Sequence, residues 1–379
     1  MDNLQRRRMN QATSRKATAA LSARGRLPML IACLLVVAAT AGGAETDAPA
    51  EPAPNPNPSP WMALPLVSSS PKLGTSVGAL GAYNHYFDAE SRPSLFGVGA
   101  QYTSSKSTIG GAFGKASFDH DTQRVLLFLG GGRINNEYKD FLGSGYPVAT
   151  ADRLKAFGGR YLYRVSGDWF VGAQGVYTNY EIVGATPLDQ QLLDLLGLTG
   201  FKGGGAGLVA MHDSRDNDNM PSRGWVANLN NVAYREAWDA PQNFDVARLD
   251  LRGYWSQGNG SVVAARLFGQ FTQDAPAAAY APIQLRGYKV GQYLGKYMTS
   301  IEGEYRWRFA RRWTATAFTG VACLYGGGRD CGSQEDLYPA IGAGVQYLVR
   351  PKEGIVANLE YAKGKGSDYG VYLKMGYAY

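Results

Sequence analysis

His85, His120 and His212 are the only histidines of this 379-residue chain, and they are the first place to look for acid–base chemistry near neutral pH. They stand far apart, neither HExxH nor GxSxG accompanies them, and the pair that most invites an acid–base reading is His212 with Asp213 directly beside it. That pair falls inside a turn-rich run, MHDSRDNDNMPSRGW (211–225), where it reads as structural rather than as a general base. GGGR at 130–133 and 326–329 and the GK at 295–296 lack the spacing with which a backbone cradles phosphate. We therefore expect no enzyme: no catalytic residue, no metal and no cofactor. Cys323 and Cys331 flank LYGGGRD, and in an oxidising compartment such a pair either closes a disulfide or stays as two free thiols.

Charge placed by strand periodicity says more. In QLRGYKVGQYLGKYMTSIEGEYRWRF (284–309) the second half alternates: Ile301, Gly303, Tyr305, Trp307 and Phe309 fall on one side of an extended chain, and Glu302, Glu304, Arg306 and Arg308 on the other. The first half is a glycine-rich loop with an arginine, Arg286, set between Leu285 and Gly287. The same period of two runs through ARLDLRGYW, VVAARLFGQF, AIGAGVQYLV, IVANLEYA and VYLKMGYAY. It sets Arg248, Asp250, Arg252, Arg266, Gln346, Asn358 and Glu360 on one face, opposite apolar and aromatic residues. A soluble sandwich also alternates, but its polar face meets water and its apolar face another sheet. Segments of membrane-crossing length with aromatics near their ends favour a transmembrane antiparallel β-barrel. So do short turns (167–168, 258–261, 350–354) that alternate with longer loops.

The elements that must position these residues begin after a leader. A basic stretch to Arg26 and the uncharged LPMLIACLLVVAATAGGA (27–44) read as a signal peptide over 1–44. ETDAPAEPAPNPNPSP (45–60) is a Pro-rich, extended linker, and 61–379 is one barrel domain. Residues 1–44 hold seven of the 38 Lys and Arg but one of the 31 Asp and Glu, leaving 31 basic against 30 acidic residues. The net +7 thus belongs mostly to the leader, and nucleic acid is not an expected partner. Five strands follow the loop at 274–298, three or four precede it back to about Gly200, and the part from LGTSVGALGAYNHYF (73–87) onward gives six to eight. PLDQQLLDLLGLTG (187–200) has helical leucine spacing and reads as a short helix on an extracellular loop.

Two stretches resemble a known family. LRGYKVGQY, with Leu285, Arg286, Gly287 and Tyr288, resembles the Arg-Gly-aromatic motif of the sixth extracellular loop in the BamA/TamA superfamily, the bacterial surface antigen family of outer-membrane assembly and translocation barrels. Asp213, Arg215, Asp216 and Asn217 with Pro221 and Gly224 resemble that superfamily's strand-turn-strand signature. The chain also ends on aromatics, Tyr377 and Tyr379, at the outward phase of its last strand, as exported barrels commonly do.

The resemblance implies an all-β, sixteen-stranded barrel with the loop folded into the lumen. It also implies that Arg286 contacts acidic residues of the inner wall, Glu304 first and Glu302 beside it, while Gly287 turns the backbone and Tyr288 packs on the wall. The family often has an aspartate on the next strand, and 315–325 has none, so a second acidic partner is missing or replaced. The linker leaves no room for the family's periplasmic POTRA modules. The function implied is a POTRA-less barrel of the bacterial outer membrane that assists insertion or translocation of protein or lipid. Its partners would be outer-membrane lipid, a client protein or lipid, and periplasmic components. The alternatives are a passive or gated pore, or a structural surface protein.

Overall fold

A computed structural model describes residues 60–217, 220–350 and 355–376. The expected signal peptide, nearly all of the Pro-rich linker, the turn at 351–354 and the terminal Tyr377 and Tyr379 lie outside the described residues.

Sixteen antiparallel strands close into one barrel. The first seven are β1 (Trp61–Ser70), β2 (Gly74–His85), β3 (Ser94–Thr103), β4 (Thr108–Phe118), β5 (Gln123–Tyr138), β6 (Val148–Ser166) and β7 (Trp169–Gly184). After helix α1 (Pro187–Leu196) come β8 (Gly200–Asp213), β9 (Gly224–Tyr234), β10 (Phe244–Ser256) and β11 (Val262–Gln273). Beyond the loop at 274–296 lie β12 (Tyr297–Arg308), β13 (Trp313–Tyr325), β14 (Leu337–Arg350), β15 (Ile355–Lys363) and β16 (Tyr369–Gly376). Each strand pairs with its sequence neighbours, and β1 closes on β16 with Ser69 opposite Leu373. Closure turns the sheet back on itself, the form in which a sheet can cross lipid.

Sidedness follows from the strand phase. Ile301, Tyr305, Trp307, Leu359, Tyr361 and Val371 are exposed on the outer wall, whereas Glu302, Glu304, Arg306 and Glu360 on the same strands are buried in the lumen. Six of the seven tryptophans, Trp61, Trp169, Trp225, Trp255, Trp307 and Trp313, are exposed at the short-turn end of the barrel, the end at which β1 begins. Such a belt marks a membrane–water interface. The long connections, including α1 and the loop at 274–296, leave from the opposite end. Among the described residues no helix is long and apolar enough to cross a membrane.

The strand count matches the sequence reading after Gly200, with four strands before the loop and five after it. Before Gly200, six strands run from β2 to β7, and β1 lies ahead of the point at which the count from residue 73 began. Pro65 and the serines at 68–70 blur its alternation. The proline fits because of its phase. Asn84 donates its amide to the Pro60 carbonyl at 2.8 Å, so even-numbered residues of β1 bond to β2 and the Pro65 nitrogen faces the closing strand β16.

Helix α1 is set by its ends. Thr186 and Asp189 form a capping box, Pro187 opens the first turn, and Gly197 stops it at φ 64°. Its Leu193 is fully buried against Tyr138, Phe141, Val148 and Leu198, so the helix is anchored to the barrel rim.

The outer wall gives a first test. Ile301→Arg, on the lipid side of β12, should destabilise the barrel by about 2–4 kcal/mol, whereas Thr316→Ser, on the lumen side of β13, should leave it nearly unchanged. Urea titration in phospholipid vesicles, read by tryptophan fluorescence, checks both.

Candidate functional site: the loop that plugs the barrel

The loop at 274–296 turns back into the barrel. A two-residue ladder of Ala281–Pro282 with Leu294–Gly295 closes its neck. Ile283, Leu285 and Tyr288 then bury themselves among Met298, Leu324, Tyr338 and Ala340 of the wall. Apolar burial thus seats the loop, and the polar contacts fix its register.

Arg286 is the centre of those contacts. Its Nε and Nη2 donate to the two oxygens of Glu302 at 3.2 and 2.9 Å, and Nη2 lies 2.6 Å from Glu304 Oε2. Nη1 donates to Glu360 Oε1 at 3.0 Å. The guanidinium also lies over the Phe318 ring, 3.4 Å from its centroid. All three carboxylates are buried, with side chains 8, 3 and 3 % exposed for Glu302, Glu304 and Glu360. Glu304 takes a second guanidinium, donated by Arg306 Nε at 2.7 Å. Glu360, on β15, is held by Asn358 Nδ2 at 2.9 Å. Its inward phase was legible in IVANLEYA, but its meeting with Arg286, 74 residues away, was not. The acid looked for on β13 is absent there, and a third carboxylate comes instead from β15, two strands further round the barrel.

Small residues make the room. A Cβ on Gly342 would meet the Phe318 ring at 2.3 Å, and one on Gly344 would meet Glu360 Cγ at 2.6 Å. Gly287 itself turns at φ +101°, and a Cβ there would stand 3.0 Å from the Gly364 nitrogen. Its amide donates to the Tyr372 hydroxyl of β16 at 2.8 Å. Tyr288 donates its hydroxyl to the Pro339 carbonyl at 2.6 Å and accepts from the Lys365 amide at 2.8 Å. Gln292 and Tyr293 both bond Asp368 in the β15–β16 turn, at 3.1 and 2.8 Å. The loop thereby holds β12, β14, β15 and β16 together from within.

The strand-turn residues lie at the other end of the barrel. Asp213 accepts from Arg215 Nε at 2.8 Å and Arg92 Nη1 at 2.9 Å, with Arg124 at 3.5 Å. Arg124 also forks onto Asp121 at 2.8 and 2.6 Å, and Arg164 joins Asp121 at 2.6 Å. The sequence reading placed Asp213 and Arg215 in one turn. The fold makes them part of a network spanning β2–β3, β4–β5, β6 and β8–β9, and Arg92, Asp121, Arg124 and Arg164 carried no local signal of it. Asp216 and Asn217 shape the hairpin through the amides of Ser222, Arg223 and Met220. Partial burial raises the Asp216 carboxyl, but the hydrogen bonds from Ser222 and Arg223 outweigh it and hold it below the usual carboxylate range. Pro221 is buried in that hairpin, and Gly224 turns it at φ +91°.

His212 is stacked on Trp225, ring centroids 3.8 Å apart, and meets Trp169 edge-on, so it packs with the tryptophan belt. Cys323 and Cys331 are joined in a disulfide beside the loop that follows β13.

These features define a class: a closed sixteen-stranded barrel with a long loop clamped inside its lumen. Solved structures of that fold include the BamA of Haemophilus ducreyi lacking POTRA domains 1–3, similar at 11 % identity with a TM-score of 0.57 over 83 % of this chain and 70 % of that one. CdiB of Acinetobacter baumannii is similar at 12 % identity and a TM-score of 0.57, over 84 % of this chain and 60 % of that one. CdiB of Escherichia coli is similar at 12 % identity and a TM-score of 0.55, over 84 % of this chain and 63 % of that one. The chain thus spans less than two thirds of either CdiB structure, and the likeness is one of fold. No family model matches the chain, and no curated protein matches it in sequence.

Arg286→Ala would leave three buried carboxylates without their shared cation. It is expected to cost about 3–5 kcal/mol and to expose the loop. Arg286→Lys should recover less than half of that, because an ammonium cannot fork between Glu302 and Glu360. The unfolding midpoint and trypsin cleavage at Lys289 measure the two effects.

Proposed function

We propose that the protein is an outer-membrane barrel of the BamA/TamA type that assists insertion or translocation of protein or lipid, without chemistry of its own. The observation that carries this reading is the Arg286 clamp. One loop residue binds Glu302, Glu304 and Glu360, and its neighbour Gly287 binds Tyr372 on the strand that closes against β1. A plug bonded to the strands beside the closure suits a device that works at the barrel wall and not through an open channel. Fold likeness to BamA and CdiB supports the outer membrane as its place.

A pore is the second reading, favoured by the inward charges of Arg248, Asp250, Arg252, Arg266 and Arg306 that a water-filled lumen would show. Two measurements separate the readings. Deleting the gene and profiling outer-membrane proteins and lipids should show a loss in one of them, and an unchanged profile removes the assembly and transport reading. In planar bilayers the wild-type protein should conduct little and Arg286→Ala should open it. A large steady current that is the same in both proteins would make it a pore.

A further inference from the structure

Most inward guanidinium groups face carboxylates: Arg252 and Arg266 share Asp250, at 2.7 and 2.9 Å, and Arg306 has Glu304. Arg160 on β6 and Arg248 on β10 have no carboxylate partner among the described residues. Arg248 donates only its Nε, to Gln270 Oε1 at 3.1 Å. Arg160 places Nε and Nη2 on Gln174 Oε1 at 3.1 and 2.6 Å. Gln174 is itself fixed by donating to Asn230 Oδ1 and the Asn231 carbonyl at 3.0 and 2.8 Å. Asn230 stands directly opposite Arg248 on the neighbouring strand, so the Arg160–Gln174–Asn230 chain leads from one like-charged guanidinium to the other. Neutral amides hold two cations in place, and among the described residues the outer nitrogens of Arg248 have no hydrogen-bond partner.

Arg248 and Gln270 line a cavity of about 370 Å³ between the wall and the plug loop. Phe201, Tyr234 and Val246 form an apolar wall next to the guanidinium, and Ala279 and Leu294 of the loop close the other side. Across the cavity, the Asp152 carboxylate is already committed: it accepts from Tyr180 and Thr150, both at 2.9 Å, and pairs with Lys72 at 3.5 Å. The cavity thus offers one uncompensated positive pole and an aromatic and aliphatic body, at a size suited to a small molecule.

We propose that this cavity binds an amphipathic oxyanion, an organic carboxylate or phosphate monoester with an apolar body. The oxyanion would sit on Arg248 beside Arg160, and the body against Phe201, Tyr234 and Val246. A guanidinium fork matches an oxyanion bidentately, and the anion supplies the negative charge that the glutamine partners of the two arginines do not. The site is separate from the Arg286 clamp and does not depend on what the barrel does in the membrane.

The probes are 2-naphthoate, 2-naphthyl phosphate, 2-naphthamide and inorganic phosphate, titrated calorimetrically into the full barrel in lipid nanodiscs. In the wild-type protein either naphthyl anion should bind at least about tenfold more tightly than the amide or inorganic phosphate, the margin of a charged hydrogen bond or an apolar contact. Whichever of the two binds more tightly identifies a carboxylate or a phosphate head as the preferred one. Arg248→Gln should weaken the naphthyl anions by a similar factor and leave the amide unchanged, while the outward-facing Arg153→Gln should change nothing. Equal binding of the anions and the amide, or of naphthyl phosphate and inorganic phosphate, overturns the proposal. Unaltered anion binding in a folded Arg248→Gln barrel overturns it too. The ligand comparison in the wild-type protein decides the matter even where the variant does not fold.

Discussion

Three carboxylates held within reach of one guanidinium are the constraint around which the barrel's interior is arranged. Near a protein surface two unit charges 4 Å apart interact by about 4 kcal/mol, so the charge of Arg286, with Arg306 beside Glu304, is set against the mutual repulsion of Glu302, Glu304 and Glu360. The wall needs the loop as much as the loop needs the wall. Gly342 leaves space for Phe318, the ring on which the guanidinium rests, and Gly344 leaves space for Glu360. Either glycine would be costly to replace, although neither touches the arginine's nitrogens.

The charges of the lumen fall into distinct groups. At the short-turn end, Asp121 and Asp213 gather Arg92, Arg124, Arg164 and Arg215 into a network that joins several hairpins. Around the plug loop, Arg286 and Arg306 meet three glutamates. Elsewhere in the lumen Arg160 and Arg248 rest on glutamines, and among the described residues no carboxylate pairs with them. Buried ions are tolerated where partners satisfy them, and an uncompensated pair beside a cavity is where an external anion would gain most. The paired groups hold the scaffold, and the group without carboxylates is the one that would take a ligand.

Much of the wall was legible before the fold. Alternation in IEGEYRWRF fixes which residues face lipid and which face the lumen, because a strand's side chains change sides at every step. Hence Glu302, Glu304 and Glu360 read as inward from the sequence alone. The turn residues around Asp216 and Gly224 were equally readable, since their bonds are local. β1 was not, because Pro65 breaks the pattern, and only the pairing with β2 shows that its nitrogen faces the closing strand.

What the sequence determined by itself is periodic or local: strands of alternating polarity, a short helix within 187–200, and a loop carrying Leu285, Arg286, Gly287 and Tyr288. What only the tertiary structure decided is which inward residues meet. Barrel closure brings Glu360 to Arg286 across 74 residues and Arg92 to Asp213 across 121, and it links Arg160 through Gln174 and Asn230 toward Arg248. Strand register and barrel shear set those meetings, and neither leaves a trace in the residues of a single strand.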